Sequence, residues 1–221
     1  MKSISVIIHA RTESTRCPNK ILRDLGDGNT LIDIALDKLN RLNVDEKYLA
    51  VGETSLSERV IGDVQVLHRD YDSIKKGNPQ MNVFFKHLKD VKSSHIVNLN
   101  PCQPFLNIVK IQNAIDSFKH SHCDSMITVR KEKNFFWNDD LGPVNFVKGD
   151  RLSTIDGPHL FVATHSLVCF KKNYMLNNWQ YFGNQYNDPF PYIVDWSDEE
   201  LIDVDTEVDY KLVKSIYERK I

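Results

Sequence analysis

Hydrophobic positions along this chain alternate between two rhythms, one of period two and one of period 3.6. A short β-rich run at residues 3–9, SISVIIH, stops at the polar, arginine-rich and proline-containing stretch ARTESTRCPNK. That pattern predicts a strand followed by a loop. Leu31, Ile34, Ala35, Leu36, Leu39 and Leu42 then recur at helical spacing, and KYLAVG and VQVLH read as the next two strands. Met81, Phe84, Phe85 and Leu88 mark another amphipathic helix, and HIVNLN at 95–100 reads as a buried strand ending in the turn PCQPFLN. Asn107 is placed to cap a helix whose apolar face is Ile108, Ile111, Ile115 and Phe118, and DSMITV at 124–129 closes another unit of the same kind. Thr206 precedes Glu207, Val208 and Asp209 in a capping-box-like pattern, and Leu212, Val213, Ile216 and Tyr217 share one face, which predicts a last helix over about 206–219.

Strands alternating with helices predict an α/β fold, a single domain over 1–221 with a mainly parallel central sheet and helices on both faces. In such sheets ligands sit beyond the carboxyl ends of the strands. Between about 130 and 188 the periodicity breaks down into aromatic, Gly, Pro and Asn-rich segments such as NFFWNDDLGPVNF and NNWQYFGNQYNDPFP. This stretch reads as a smaller excursion, whose aromatics serve either a dimer contact or packing against the parent domain.

Composition narrows the function classes. Lys and Arg number 28 against 30 Asp and Glu, a net charge of −2, so nothing attracts nucleic acid wholesale. No apolar run approaches the roughly 20 residues of a membrane span, and the first residues are too briefly apolar for a signal peptide, which predicts a cytoplasmic protein without membrane attachment. Cys17, Cys102, Cys123 and Cys169 form no CxxC pair and read as reduced thiols.

The loop after the first strand concentrates chemistry. Arg11, Arg16 and Lys20 supply three cations within ten residues, with Ser14, Thr15 and Asn19 as further donors. Such a loop suits a polyphosphate; a basic surface loop paired with nearby acids is the alternative. It is neither a GxxxxGK[ST] loop nor a GxGxxG turn, so side chains would do what backbone amides do in those motifs. The second feature is Asp203-Val204-Asp205. In a strand both carboxylates share a face and can converge on Mg2+, which takes one or two carboxylates with phosphate and water; acids gathering at a helix N-terminus are the alternative.

These residues resemble a known family. HARTESTRCPNKIL is similar to the N-terminal signature of the cytidylyltransferases that activate acidic sugars, A-R-x-x-S-K-R-x-x-x-K-N, through Ala10, Arg11, Ser14, Arg16, Pro18, Asn19 and Lys20. Arg69 in VLHRDYD resembles the family's arginine after its third strand, NLNPCQPFLN resembles the turn L-Q-P-T-S-P-L-R, and IDVDTEVDY resembles I-D-I-D-T-E-x-D. The likeness is nearest to the acylneuraminate cytidylyltransferases. It implies a Rossmann-like nucleotidyltransferase, working as a homodimer and transferring CMP from CTP to an acidic sugar with release of pyrophosphate for cell-surface glycan synthesis. On that resemblance Arg11, Ser14, Arg16, Asn19 and Lys20 hold the triphosphate, with Arg11, Lys20 and Asp205 carrying the catalysis. Arg69, Asn78 and Gln80 surround cytosine and ribose, Asp203 and Asp205 hold Mg2+, and Asn100, Gln103 and His165 face the acceptor.

The departures from the family lie in Thr12, Glu13, Thr15 and Ile21 around the loop, and on the acceptor side in Leu106, where the family has an arginine, and in VATHSLVCF, which stands for R-P-N-G-x-I-Y. They keep two alternatives open: a same-fold transferase with another acceptor, such as a phosphorylated polyol, or a catalytically silent nucleotide-binding relative. The base is open between a metal-held hydroxide and one of the two aspartates. His120, His122 and Cys123 lack a second ligand pair at zinc spacing and read as a solvated helix end, and Cys102 reads as a packed thiol without a base partner.

Overall fold

A computed structural model describes residues 2–75, 79–147, 149, 151, 153, 155, 157–183 and 188–220. Its strands are β1 (Ile4–His9), β2 (Glu46–Val51), β3 (Gln65–His68), β4 (His95–Leu99), β5 (Ser125–Lys133), β6 (His159–Lys171) and β7 (Phe190–Ile193). They form one seven-stranded sheet in the order β3-β2-β1-β4-β6-β5-β7. β1 pairs in parallel with β2 and β4, β2 with β3, and β5 with β7. Only β6 runs antiparallel, to β4 on one side and β5 on the other. The result is the expected α/β fold with a mostly parallel sheet, and the loops that follow β1, β3 and β4 share one edge.

The helices form where the pattern says they should, for identifiable reasons. Helix α1 (Leu31–Arg41) opens on a full capping box between Thr30 and Asp33 and buries Leu31, Ile32, Ala35, Leu36 and Leu39. Helix α5 (Ile108–His120) is capped by the Asn107 side chain, which accepts from the backbone of Val109 and Lys110. Helix α7 (Glu207–Glu218) carries a second capping box, Thr206 with Asp209. Caps of this kind are worth about 1 kcal/mol each, and each fully buried Leu or Ile about 1.5–3 kcal/mol. The three pack into one large core with the side chains of β1, β2 and β4 that face them, such as Val6, Ile8, Leu49 and Val97. The opposite face carries a smaller core of Ile7, Tyr48, Phe85, Leu88, Phe170 and Met175. Short helices α2 (Thr54–Ser57), α3 (Tyr71–Ile74), α4 (Met81–Phe84) and α6 (Lys172–Asn178) complete the chain. No helix is long and apolar enough to cross a membrane, among the described residues.

Three sequence expectations need correction. The helix expected across Met81 to Leu88 is α4 followed by a 3-10 turn at Lys86–Asp90. Phe85 leaves helical geometry at φ −101° and ψ 11°, and the tighter turn eclipses residues three apart, so Phe85 and Leu88 both enter the core. The stretch from 130 to 188 departs from the sheet only in part. Its middle is β6, which sits between β4 and β5, followed by α6. The Asp203-Val204-Asp205 segment is extended but forms no strand of the sheet.

Candidate active site

The loop after β1 is held by its own charges. Glu53 accepts from the backbone nitrogen of Thr12 at 2.8 Å and from its hydroxyl at 3.1 Å. Arg11 turns the other way and donates to the carbonyls of Lys75 at 2.9 Å and Ile74 at 3.4 Å. The partners of Arg11 here are carbonyls rather than a carboxylate. Ser14 and Asn19 line a cleft of about 230 Å3 together with Thr12, Glu13, Thr15 and Pro18. Lys20 opens a 3-10 turn (Lys20–Leu22) and reaches across to the far end of the chain. It donates to the Val204 carbonyl and, at 3.0 Å, to the Asp205 carboxylate, where Arg16 also binds at 2.9 Å. Arg23 pairs with Glu207 and lies 3.7 Å over the Tyr210 ring, so the whole loop is fastened to the start of α7.

The aspartate segment is anchored from the other side. Val204 is fully buried, and its backbone nitrogen donates to the Cys102 carbonyl at 2.9 Å. Val204 is turned inward, while Asp203 and Asp205 are half-exposed on either side of it, Asp205 bound to the loop after β1 and Asp203 to Asn100. Asp203 accepts from the Asn100 amide at 2.8 Å. Burial lifts its pKa above the ordinary carboxylate value, with the Asn100 hydrogen bond opposing the shift and the Asp205 charge adding to it. At Lys20 burial works against the charge, but Cys102, Asp205 and Asp203 outweigh it and raise the pKa. Lys20 is therefore a fixed cation at neutral pH. Burial pushes the Cys102 thiol up to about 11, which leaves it neutral and unsuited to nucleophilic work.

Two carboxylates are a partial shell. Among the described residues no group of three or more His, Cys, Asp or Glu side chains is arranged to hold a metal ion alone. The oxygen-only pair of Asp203 and Asp205 beside a cationic loop still fits Mg2+, which usually completes its shell with phosphate and water.

On the acceptor side the turn after β4 carries Asn100 and Gln103. Gln103 is 3% exposed, donates to the Thr164 carbonyl at 3.0 Å, and has a buried side-chain oxygen without a partner. His165 is exposed, in the left-handed region at φ 54°, and lies near Asp203. Leu106, expected to stand in for an acceptor-binding arginine, is 2% exposed and belongs to the main core. Its identity therefore speaks to packing and not to the acceptor.

The remaining nucleotide candidates lie after β3, Arg69 being close to Arg11 and Glu53. Arg69 is buried at the end of β3, donates to the Ser73 carbonyl at 2.6 Å and stacks 4.3 Å from the Phe84 ring centre. Burial and the nearby Arg11 lower its pKa to about 10, against the pull of Glu53, so it stays charged. Its Nε is buried without a partner. Gly52 lets this turn approach β2: a Cβ there would lie 2.9 Å from the Arg69 carbonyl and 2.5 Å from the Ile74 side chain. Gln80 is exposed at the N-cap position of α4, and Asn78 lies outside the described residues.

Three contributors escaped the sequence reading. Glu53 sets the loop through Thr12. Lys38, on α1, donates to the carbonyls of Gln103 and Pro104 beneath the acceptor turn, and burial lowers its pKa to about 8. His9, the last residue of β1, has its Nε2 3.0 Å from Nε2 of His87, and burial keeps both rings neutral. A polar residue at an apolar-face position, as at Lys38 in α1, was the available signal.

Comparison with known proteins fits this geometry. The sequence matches the cytidylyltransferase family over residues 5–137. No curated protein matches it. Among solved structures it is similar to a CMP:2-keto-3-deoxy-manno-octonic acid synthetase complexed with CTP, at 11% identity and TM-score 0.67, over 99% of this chain and 100% of that one. It is also similar to 4-diphosphocytidyl-2C-methyl-D-erythritol synthase from Anaerococcus prevotii DSM 20548, at 16% identity and TM-score 0.66, over 99% of this chain and 97% of that one. A third likeness is to the bifunctional IspDF of Campylobacter jejuni, at 11% identity and TM-score 0.65, over 95% of this chain and 53% of that one. At these identities the structures speak for the fold, whereas the family match covers more than half of the sequence. The chain belongs to the cytidylyltransferase family, and is an enzyme that transfers CMP from CTP.

Proposed function

We propose that the acceptor is an acidic sugar of the 2-keto acid class, as in the acylneuraminate branch of the family, and that the activated sugar serves cell-surface glycan synthesis. The observation that carries the reading is the meeting of Lys20 and Arg16 with Asp205 across 185 residues of sequence. A triphosphate loop and a metal-binding pair must adjoin for this chemistry, and here they share a hydrogen bond.

In the reaction the acceptor hydroxyl attacks the α-phosphorus of CTP, the new P–O bond forms, and pyrophosphate leaves in line with the bonding pair. Arg11, Arg16 and Lys20 would hold the phosphates and stabilise the charge that develops on the leaving group. Ser14 and Asn19 would orient the chain of phosphates from the cleft they line. Lys20 would exchange its Asp205 contact for phosphate oxygen while remaining protonated. Asp203 and Asp205 would hold Mg2+, which supplies charge neutralisation at the phosphates when bound. Arg69 would border the base with Gln80 and Asn78, and Asn100, Gln103 and His165 the acceptor.

The segment around β7 supports a homodimer. Trp137, Leu141, Val144, Phe190 and Ile193 are exposed, and β7 is an edge strand of the sheet. An exposed apolar edge of this kind is usually covered by a partner.

The test is pyrophosphate release with Mg2+ and CTP against sialic, legionaminic, pseudaminic and 3-deoxy-octulosonic acids, with UTP and ATP as controls. Release with CTP and one of the acids is the expected result. A second acceptor class, a phosphorylated methylerythritol, belongs in the same panel because the likeness to the methylerythritol enzyme is as close as that to the octonic acid enzyme. Release with that compound alone would overturn the acidic-sugar reading.

A further inference from the structure

β6 does not run straight past the site. Ile127 of β5 pairs with Val168 and Val129 pairs with Ala163, so Thr128 alone stands opposite the four residues 164–167. The three additional residues form a bulge, and its crest is His165 at φ 54°. A residue with a Cβ occupies this left-handed region only where the surroundings hold it there.

Buried hydroxyls do the holding. Thr128 is fully buried, and its Oγ1 lies 2.7 Å from the Thr164 hydroxyl, accepts from the Leu167 backbone nitrogen at 3.2 Å and reaches the Leu167 carbonyl at 3.3 Å. Ser166, also fully buried, donates to the Thr164 hydroxyl at 3.0 Å. From the β4 side, Asn100 donates its backbone nitrogen to the Ser166 carbonyl at 3.0 Å, and Gln103 donates to the Thr164 carbonyl at 3.0 Å. Every residue of the bulge except His165 is thus committed inward or to the neighbouring strands. His165 is the exposed one, at the edge where Asn100 and Asp203 meet. Bulges beside active sites commonly re-aim a side chain in this way.

We propose that Thr128 is a positioning residue whose buried hydroxyl closes the β6 bulge and holds His165 out of the strand into the acceptor site, where the imidazole contacts a polar oxygen of the acceptor. The proposal rests on the transfer reading above and adds a specificity device to it. The residues that close the bulge are uncharged and touch no phosphate-loop side chain, so the device acts on the acceptor and not on CTP.

The experiment measures KM for CTP and for the acid that supports turnover in the panel, together with Tm, in Thr128→Val, Thr128→Ser and His165→Gly. Thr128→Val keeps the shape of the side chain and removes the hydroxyl. It should raise the acceptor KM about tenfold or more while leaving the CTP KM nearly unchanged, and Thr128→Ser should restore it. His165→Gly should lose acceptor affinity to at least the same degree and raise Tm, because glycine adopts the left-handed conformation without strain. That combination also carries the test if Thr128→Val fails to fold. Equal changes in both KM values, or a normal acceptor KM in His165→Gly, would overturn this inference alone. A wild-type enzyme silent with every acid would overturn it together with the reading on which it rests.

Discussion

The sheet carries a carboxylate of importance at each of its two ends, and they are treated in opposite ways. At the amino end, Glu46 begins β2 and is surrounded by donors: the Ser5 hydroxyl at 2.8 Å, the Ser93 backbone nitrogen at 2.9 Å and hydroxyl at 2.6 Å, and the Tyr48 hydroxyl at 2.8 Å. Burial alone would raise its pKa, but these hydrogen bonds outweigh it and hold the group down at about 2. At the carboxyl end, Asp203 has one side-chain donor, Asn100, and burial prevails, so its pKa rises. A carboxylate that accepts from four donors is a structural knot, here tying β1, β2 and the turn before β4. One left half-satisfied keeps its capacity for a cation that is not part of the chain.

The sharpest way to test that contrast is to neutralise each end. Asp205→Asn should lower pyrophosphate release by about 100-fold or more, because the charge it contributes acts at the phosphates, while Asn still offers Lys20 an oxygen and the fold persists. Normal release by this variant would remove the metal role of the pair. Next in size, Lys20→Ala should weaken CTP about tenfold more than CMP, since its proposed partners are phosphates that CMP lacks. Equal losses in isothermal titration with the two nucleotides would reduce Lys20 to a strut between the loop and Asp205.

Glu46→Gln should leave kcat and both KM values untouched and cost about 1–2 kcal/mol of stability at pH 7, read from urea unfolding. The pH dependence follows from the depressed pKa. Glu46 contributes its stability fully above its ordinary value of 4.5 and loses it as pH falls toward about 2. The group is largely open to solvent, so screening limits this term to about 1 kcal/mol. The gap between wild type and variant should therefore close between pH 4.5 and 2, and a gap that stays constant would show that charge has no part in the knot. The smallest effect is the mirror image. Asp203→Asn should raise Tm slightly, since it removes a carboxylate that burial disfavours, while activity falls; a loss of stability would show that the charge is already satisfied within the chain.

Much of this was legible before the fold was known. The three long helices could be read because their apolar faces are local, and Asn107 and Thr206 cap as expected; the Thr30 capping box was not read from the sequence. β6 was not legible. Thr164, His165 and Ser166 interrupt its alternation with three polar residues, and the bulge that explains them depends on Thr128, far away in sequence. The cationic loop after β1 and the aspartate pair stood out through their charges, and the structure joins them through Lys20, Arg16 and Asp205. Gln103 and Leu106, by contrast, were placed by motif alignment at an open acceptor face and are buried, because burial at a turn depends on what packs over it, here Lys38 and the core under α1. Glu53 and Lys38 act through backbone groups of other segments, for which a sequence motif has no slot.

The Val204 bridge has a consequence for how the enzyme comes into being. Its nitrogen is tied to Cys102 and its carbonyl to Lys20, so three segments remote in sequence converge on one residue. Every strand of the sheet is complete by Ile193. A growing chain can therefore assemble its strands before Lys20 meets Val204 and Asp205, and contacts so distant in sequence form late. Competence should arrive abruptly, with the docking of α7 and the segment before it, which also completes the main core through Val204, Tyr210 and Val213.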